Sequence, residues 1–156
     1  MKWWGLGIVF AGSLAAAGWW FTAHLPVTNP PTLTVQQPCD LQQGECTASD
    51  AQGNTLRLSL QPHPLPVMKP MTAYVTGSLM QQAQQVQVVV EGVNMDMGFQ
   101  RAMLTPAANA TWQGQFTLPI CSTEQMQWQL TATVQTPSQV FQAIFPFITQ
   151  RVYVSE

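Results

Sequence analysis

Charge is the first thing this chain lacks. Only 8% of its 156 residues are Asp, Glu, Lys or Arg, against about 25% in ordinary soluble domains. Five basic and seven acidic residues leave a formal net charge of -2. No basic stripe is available to follow a phosphate backbone, so nucleic acid is not an expected partner. Histidine is scarce as well, with His24 and His63 the only two. No Ser/His/Asp set can be assembled around them. There is no C-x-x-C pair, and the carboxylates nowhere cluster for acid–base work. These gaps predict a protein that is not an enzyme. In place of charge the chain uses glutamine and threonine, as in QQAQQVQ (81–87) and QMQWQLTATVQT (125–136). There the glutamines alternate with apolar residues, which is the pattern of a strand face.

The longest uncharged apolar run is WWGLGIVFAGSLAAAGWWFTA (3–23). As a helix it would be about 31 Å long, close to the thickness of a bilayer's hydrocarbon core. Trp3 and Trp4 stand at one end, Trp19 and Trp20 at the other, spaced as interfacial aromatic belts. Lys2 favours a cytoplasmic N-terminus and an exported C-terminal part. Residues 1–23 are thus expected to be a single-pass inner-membrane anchor, with the rest of the chain in the periplasm. A cleaved signal peptide is the alternative, because Ala15 and Ala17 fit an A-x-A site. Cleavage there would leave GWWF at the new terminus, and the basic n-region is very short. Gly12 and Ala16 form a small-xxx-small pair, which simple apolar composition explains equally well.

Residues 24–38, HLPVTNPPTLTVQQP, carry Pro26, Pro30, Pro31 and Pro38 and read as an extended, semi-rigid spacer. The folded domain is then expected over 39–156. Three cysteines follow the spacer. In CDLQQGEC, Cys39 and Cys46 flank a stretch where Gly44 permits a reversal, and in an oxidising compartment they are the natural disulfide. Cys121 is left either as a buried thiol or as a thiolate ligand, and pairings that include it stay open.

Beyond the spacer, period-two alternation dominates. TLRLSLQ (55–61) sets Leu56, Leu58 and Leu60 on one face. Further strands are predicted at 71–79, 85–92, 99–104, 112–118, 126–136 and 139–147, with 149–155 a separate strand or a continuation. Turn signals separate them at 53–54, 77–78, 105–111 and 136–138. Seven or eight short strands at this spacing predict an all-β domain, an immunoglobulin-like antiparallel β-sandwich preceded by one transmembrane helix. Val88, Val90, Phe116, Leu118, Trp128, Leu130, Val134 and Phe141 are the expected core.

What remains for chemistry is sulfur. Met95 and Met97 share one face if the chain is extended there. Met68 and Met71 bracket Lys69 and Pro70, where the proline would hold the chain open. Thioethers are soft donors that prefer Cu(I), and His63 or Cys121 could complete such a set. The competing reading is methionine as adaptable filler for a core or a docking surface. Asp96 should face away from Met95 and Met97, toward solvent. Arg101 could pair with Asp96 or Glu91 in an exposed ion pair contributing about 0–1 kcal/mol. Trp112 and Trp128 read as core or interface anchors.

One longer pattern joins these pieces. Val88, Val90, Gly92 or Val93, Met95, Met97 and Gly98 are followed by Trp112-Gln-Gly114-Gln-Phe116, then by Trp128-Gln-Leu130 leading to Val134. Over roughly residues 70 to 136 this resembles the YtkA-like and FixH-like group of membrane-tethered exported domains. The resemblance implies an immunoglobulin-like sandwich behind one transmembrane helix. It also implies a role as a membrane-anchored periplasmic accessory protein in copper-containing respiratory oxidase assembly or cation transport. Only Met95 and Met97 fall on a functional segment of that pattern. Their neighbours are Asn94, Asp96 and Phe99, with no histidine, so any metal there is expected to be Cu(I). The alternative expectation is a metal-free interaction module with a methionine-rich docking surface for a membrane or periplasmic protein.

Overall fold

The computed structural model describes residues 30–120 and 123–150. The expected anchor with Trp3, Trp4, Trp19 and Trp20, the first part of the spacer, Cys121 and the last six residues lie outside them. The described residues form nine strands: β1 (Thr32–Val35), β2 (Cys46–Ser49), β3 (Thr55–Gln61), β4 (Pro70–Thr76), β5 (Gln85–Gly92), β6 (Phe99–Pro106), β7 (Trp112–Thr117), β8 (Gln125–Gln135) and β9 (Val140–Gln150). A short 3-10 turn, Ser78–Gln81, precedes β5. Among the described residues no helix is long and apolar enough to cross a membrane.

Each strand follows from its alternation. In β3 the pattern puts Leu56, Leu58 and Leu60 fully inside, each burial stabilising by about 1.5–3 kcal/mol. In β5 Val86, Val88 and Val90 turn inward while Gln85, Gln87 and Val89 turn out. β8 and β9 are the longest, and their eleven-pair ladder from Gln125↔Gln150 to Gln135↔Val140 is the spine of the fold. All eight expected core residues are buried. Trp128 is 1% exposed, donates its indole N–H to Thr149 Oγ1 at 2.8 Å and stacks on Phe147.

The strands close into one barrel in the order β1-β2-β3-β4-β7-β6-β5-β8-β9. All neighbours are antiparallel except β1 and β9, which run parallel. Two short seams make the closure. At one, β1 pairs with β9 through Thr32 and Leu33, then with β2 through Thr34 and Val35. At the other, β6 lies along β5 over its first six residues and reaches β7 only through Thr105↔Gln113 and Pro106↔Trp112. β1 falls inside the stretch expected to be a spacer. Leu33, 2% exposed, inserts into the core, and the flanking prolines mask the strand in the sequence. The disulfide joins Cys39 to Cys46, with a Cα–Cα distance of 5.3 Å. It closes the β1–β2 connection.

Candidate functional site

The topology sorts the connections to two ends. The chain comes in at one end, where the Gln142 amide donates to Pro31 O at 3.1 Å. The connections 50–54, 77–84, 107–111 and 136–139 share this end. The opposite rim carries 36–45, 62–69, 93–98 and the β7–β8 connection. Along β9, from Gln142 to Ile148, the two levels lie about 20 Å apart. Every sulfur or imidazole ligand candidate among the described residues falls at the far rim or in the strand end beside it.

The 93–98 segment is the hairpin loop between the strands expected at 85–92 and 99–104, and the chain at Met95 and Met97 is not extended. β5 ends at Gly92, and Gly98 starts the return with φ +66°, a backbone region open to glycine. The Asp96 carboxylate accepts from the Gly98 amide at 2.9 Å, an Asx turn. Asn94 ties the loop to β8, donating to Gln125 O at 3.1 Å and accepting from the Gln127 amide at 3.0 Å. The Val93 amide donates to Gln127 O at 2.9 Å. Held this way, Met95 and Met97 are both half-buried against the core while Asp96 is exposed. The two methionines are expected on one face of an extended chain; the chain there is a loop in which both are partly buried. Gly92 is required beneath them: a Cβ at that position would meet the Met95 carbonyl oxygen and the Met126 methyl.

The remaining candidates do not converge. Met71 is 1% exposed inside β4, opposite Phe116. Met68, three residues earlier, is 62% exposed with φ +58°, its amide donating to Leu118 O. Pro70 begins a strand between them, so the pair points into different environments. His63 is exposed on the 62–69 connection. Among the described residues no three His, Cys, Asp or Glu side chains come together as a metal site. Arg101 does not take a carboxylate partner among them; its guanidinium sits over the Phe99 ring, 5.4 Å from the centroid. Glu91 accepts from the Gln129 amide at 3.3 Å instead.

A larger feature of the same rim carries no motif. A groove of about 1340 Å³ runs between the end of β9, the start of β8 and the 62–69 connection. Leu65, Val67, Val93, Trp128, Phe147 and Ile148 supply its apolar lining, with Gln42, Gln125, Gln127 and Gln129 around it and one charge of each sign, Asp40 and Lys69. Gln42 shapes the groove by bridging two elements: it donates to Ile148 O at 2.7 Å and accepts from the Leu65 amide at 3.1 Å. The sequence does carry a signal for it. Ile144, Pro146 and Ile148 put apolar groups on the outward face of β9, where the other outward faces are mostly Gln and Thr.

Comparison with family models, with curated proteins and with solved structures gives no match for this chain.

Proposed function

We propose that this chain is a non-enzymatic accessory protein, tethered to the inner membrane by residues 1–23, that docks a partner protein in the periplasm through the far rim of its barrel. The observation that carries this reading is the groove beside the methionine loop, set about 20 Å from where the chain comes in. A tether at one end and an apolar groove at the other suit a module that presents a surface away from its anchor. Half-buried Met95 and Met97 fit the rim as adaptable contact groups. The finer fold reading is an immunoglobulin-like sandwich whose sheets share β1 and β6 as corner strands; the two split seams support it. The resemblance to the YtkA-like and FixH-like group suggests copper-containing respiratory oxidase assembly as the setting. The experiment is genetic and biochemical. Deleting the protein should lower assembled oxidase, and the full chain should restore it. A Val93→Asp/Ile148→Asp chain, altered only at exposed groove positions, should reach the membrane folded and fail to restore it. Normal oxidase copper content in the deletion strain would overturn the assembly setting. Full rescue by the groove variant would overturn the groove.

A second reading is Cu(I) binding at Met95 and Met97. Two soft thioethers half-buried in one six-residue loop support it, with exposed Met68 and His63 on a neighbouring connection. Cu(I) would be held without loss of a proton from either thioether, so the site would keep its affinity through mild acid. Anaerobic Cu(I) titration of the full chain tests it. Unchanged affinity in Met95→Leu/Met97→Leu would remove the site.

A further inference from the structure

The seam between β6 and β7 leaves main-chain groups open. In an antiparallel ladder, successive residues turn their N–H and C=O groups to opposite sides. The Met103 carbonyl oxygen lies 3.1 Å from where a Gly114 Cβ would stand, so it faces β7. Thr105 and Pro106 are the β6 residues in register with β7. Odd-numbered β6 residues therefore face the β7 side, and even-numbered ones face β5. β7 is in register with β6 only at Gln113 and Trp112, so among the described residues the edge has no ladder partner beyond Met103. The N–H and C=O groups of Phe99 and Arg101 are left on that open side. The free edge of β9 is treated differently. There Pro146 has no N–H to offer, and the Ile148 carbonyl is taken by Gln42. Proteins commonly close sheet edges with such devices; the first four residues of β6 carry neither. Their outward side chains are Phe99, 61% exposed, and Arg101, with exposed Met103 following.

We propose that the open edge of β6 receives an extended segment of a partner protein, paired main chain to main chain at Phe99 and Arg101, with a carboxylate side chain of that segment set against the Arg101 guanidinium. Strand addition to an exposed edge draws affinity from the main-chain bonds and specificity from alternate side chains. Phe99 offers an apolar contact and Arg101 a cation with no carboxylate partner among the described residues, so the fitting segment alternates apolar and acidic groups. The choice of a different protein over a second copy rests on the tethered reading. Self-pairing through this edge would run two β6 strands antiparallel and put the two anchored ends at opposite ends of the pair, whereas copies in one membrane come in from the same side.

Hydrogen exchange on the full chain in lipid nanodiscs tests the edge independently of groove and copper. In the free chain the amides of Phe99 and Arg101 should exchange fast while Gln100 and Ala102, bonded to β5, are protected. A blocked peptide of alternating valine and glutamate should protect Phe99 and Arg101 and bind roughly threefold more tightly than its valine–lysine counterpart. Arg101→Glu should invert that preference. Arg101→Pro, which removes the guanidinium together with the edge N–H, should abolish protection at this edge. Slow exchange in the free chain, equal binding of both peptides, peptide protection confined to 62–69, or protection that grows with protein concentration alone would each overturn the proposal, the last by making a second copy the occupant.

Discussion

Gly92→Ala is the sharpest test of how the methionine loop is held. The new methyl would point at two groups, the Met126 methyl and the Met95 carbonyl oxygen. Met126 ends in a flexible thioether that can swing away. Met95 offers main chain, and the loop that carries it is fixed by three hydrogen bonds, from Val93, from Asn94 and to Asn94. The chain then has two escapes. It can keep the loop and carry the overpacking, at about 1–3 kcal/mol. It can instead lift the loop and lose three bonds, each contributing about 0.5–1.5 kcal/mol net. Both routes converge on a destabilisation of about 2 kcal/mol. For a domain of this size that is a fall in Tm of roughly 5–10 °C. Urea unfolding of the full chain in mild detergent, followed by tryptophan fluorescence, measures it. Gly44→Ala is the matched control, since nothing lies within 4 Å of its added Cβ and its φ is not positive. Gly98→Ala should fall between the two, meeting no atom but placing a side chain at φ +66°. If Gly92→Ala came within about 0.5 kcal/mol of Gly44→Ala, a margin typical of neutral surface changes, the packing of Met95 over Gly92 would be refuted.

Three further outcomes concern the core, the disulfide and a surface carboxylate. Thr149→Val strands the buried Trp128 indole N–H and should cost about 1–3 kcal/mol in urea unfolding, whereas Thr149→Ser should retain most of that stability. Reducing the Cys39–Cys46 bond, or replacing both residues by Ser, should lower stability by about 2 kcal/mol for so short a loop, with the largest rise in hydrogen exchange at β1 and β2. Asp50 is held below the ordinary carboxylate range first by the Asn54 side-chain amide at 2.7 Å, with main-chain amides of Asn54, Gln52 and Gly53 adding to it. Because the folded value is the lower one, this stabilisation is present above the ordinary carboxylate range and is lost as pH falls through the depressed value. Asp50→Asn should flatten the acid limb of the stability profile.

Seven of the nine strands could be read from alternation alone, and the reason is visible in their inward residues. They carry apolar residues at alternate positions, several of them large, as in Leu56, Leu58 and Leu60 or Trp128, Leu130 and Val134. β1 and β2 could not be read that way. β1 sits between Pro31 and Pro38 with a single strongly inserted residue, Leu33; β2 turns only Cys46 and Ala48 inward. Short strands with small inner residues have little period to detect. The position of β1 depends on partners far along the chain, Gln142 and Ala143, whereas β2 pairs with the next strand across the 50–54 turn. The two cysteines were a local signal, since a disulfide of sequence separation 7 needs only a turn between them. The segment at 93–98 lies between two strands that the sequence did place, 85–92 and 99–104; only the extended form considered for its methionines is not adopted. Val-Asn-Met-Asp-Met continues the alternation of β5 in the sequence, yet Gly92 and Gly98 let the chain leave and rejoin the sheet, and the Asn94 side chain replaces main-chain pairing with β8.

That replacement bears on what the rim can do. A strand that simply continued through Met95 and Met97 would bury one face of the pair in the barrel and pin its other groups in a ladder. The loop instead leaves both methionines half-exposed while three polar bonds fix its path. Its first residue, Val93, lines the groove, and its exit leads directly into the open edge at Phe99. Groove, methionine loop and unpaired edge are therefore one continuous rim. A partner that engaged the edge by strand addition would take its register from main-chain pairing, with the adjoining methionine loop as a softer contact. With so few charges on the molecule, that division leaves Arg101 as the one residue on the edge that can choose among partners by sign.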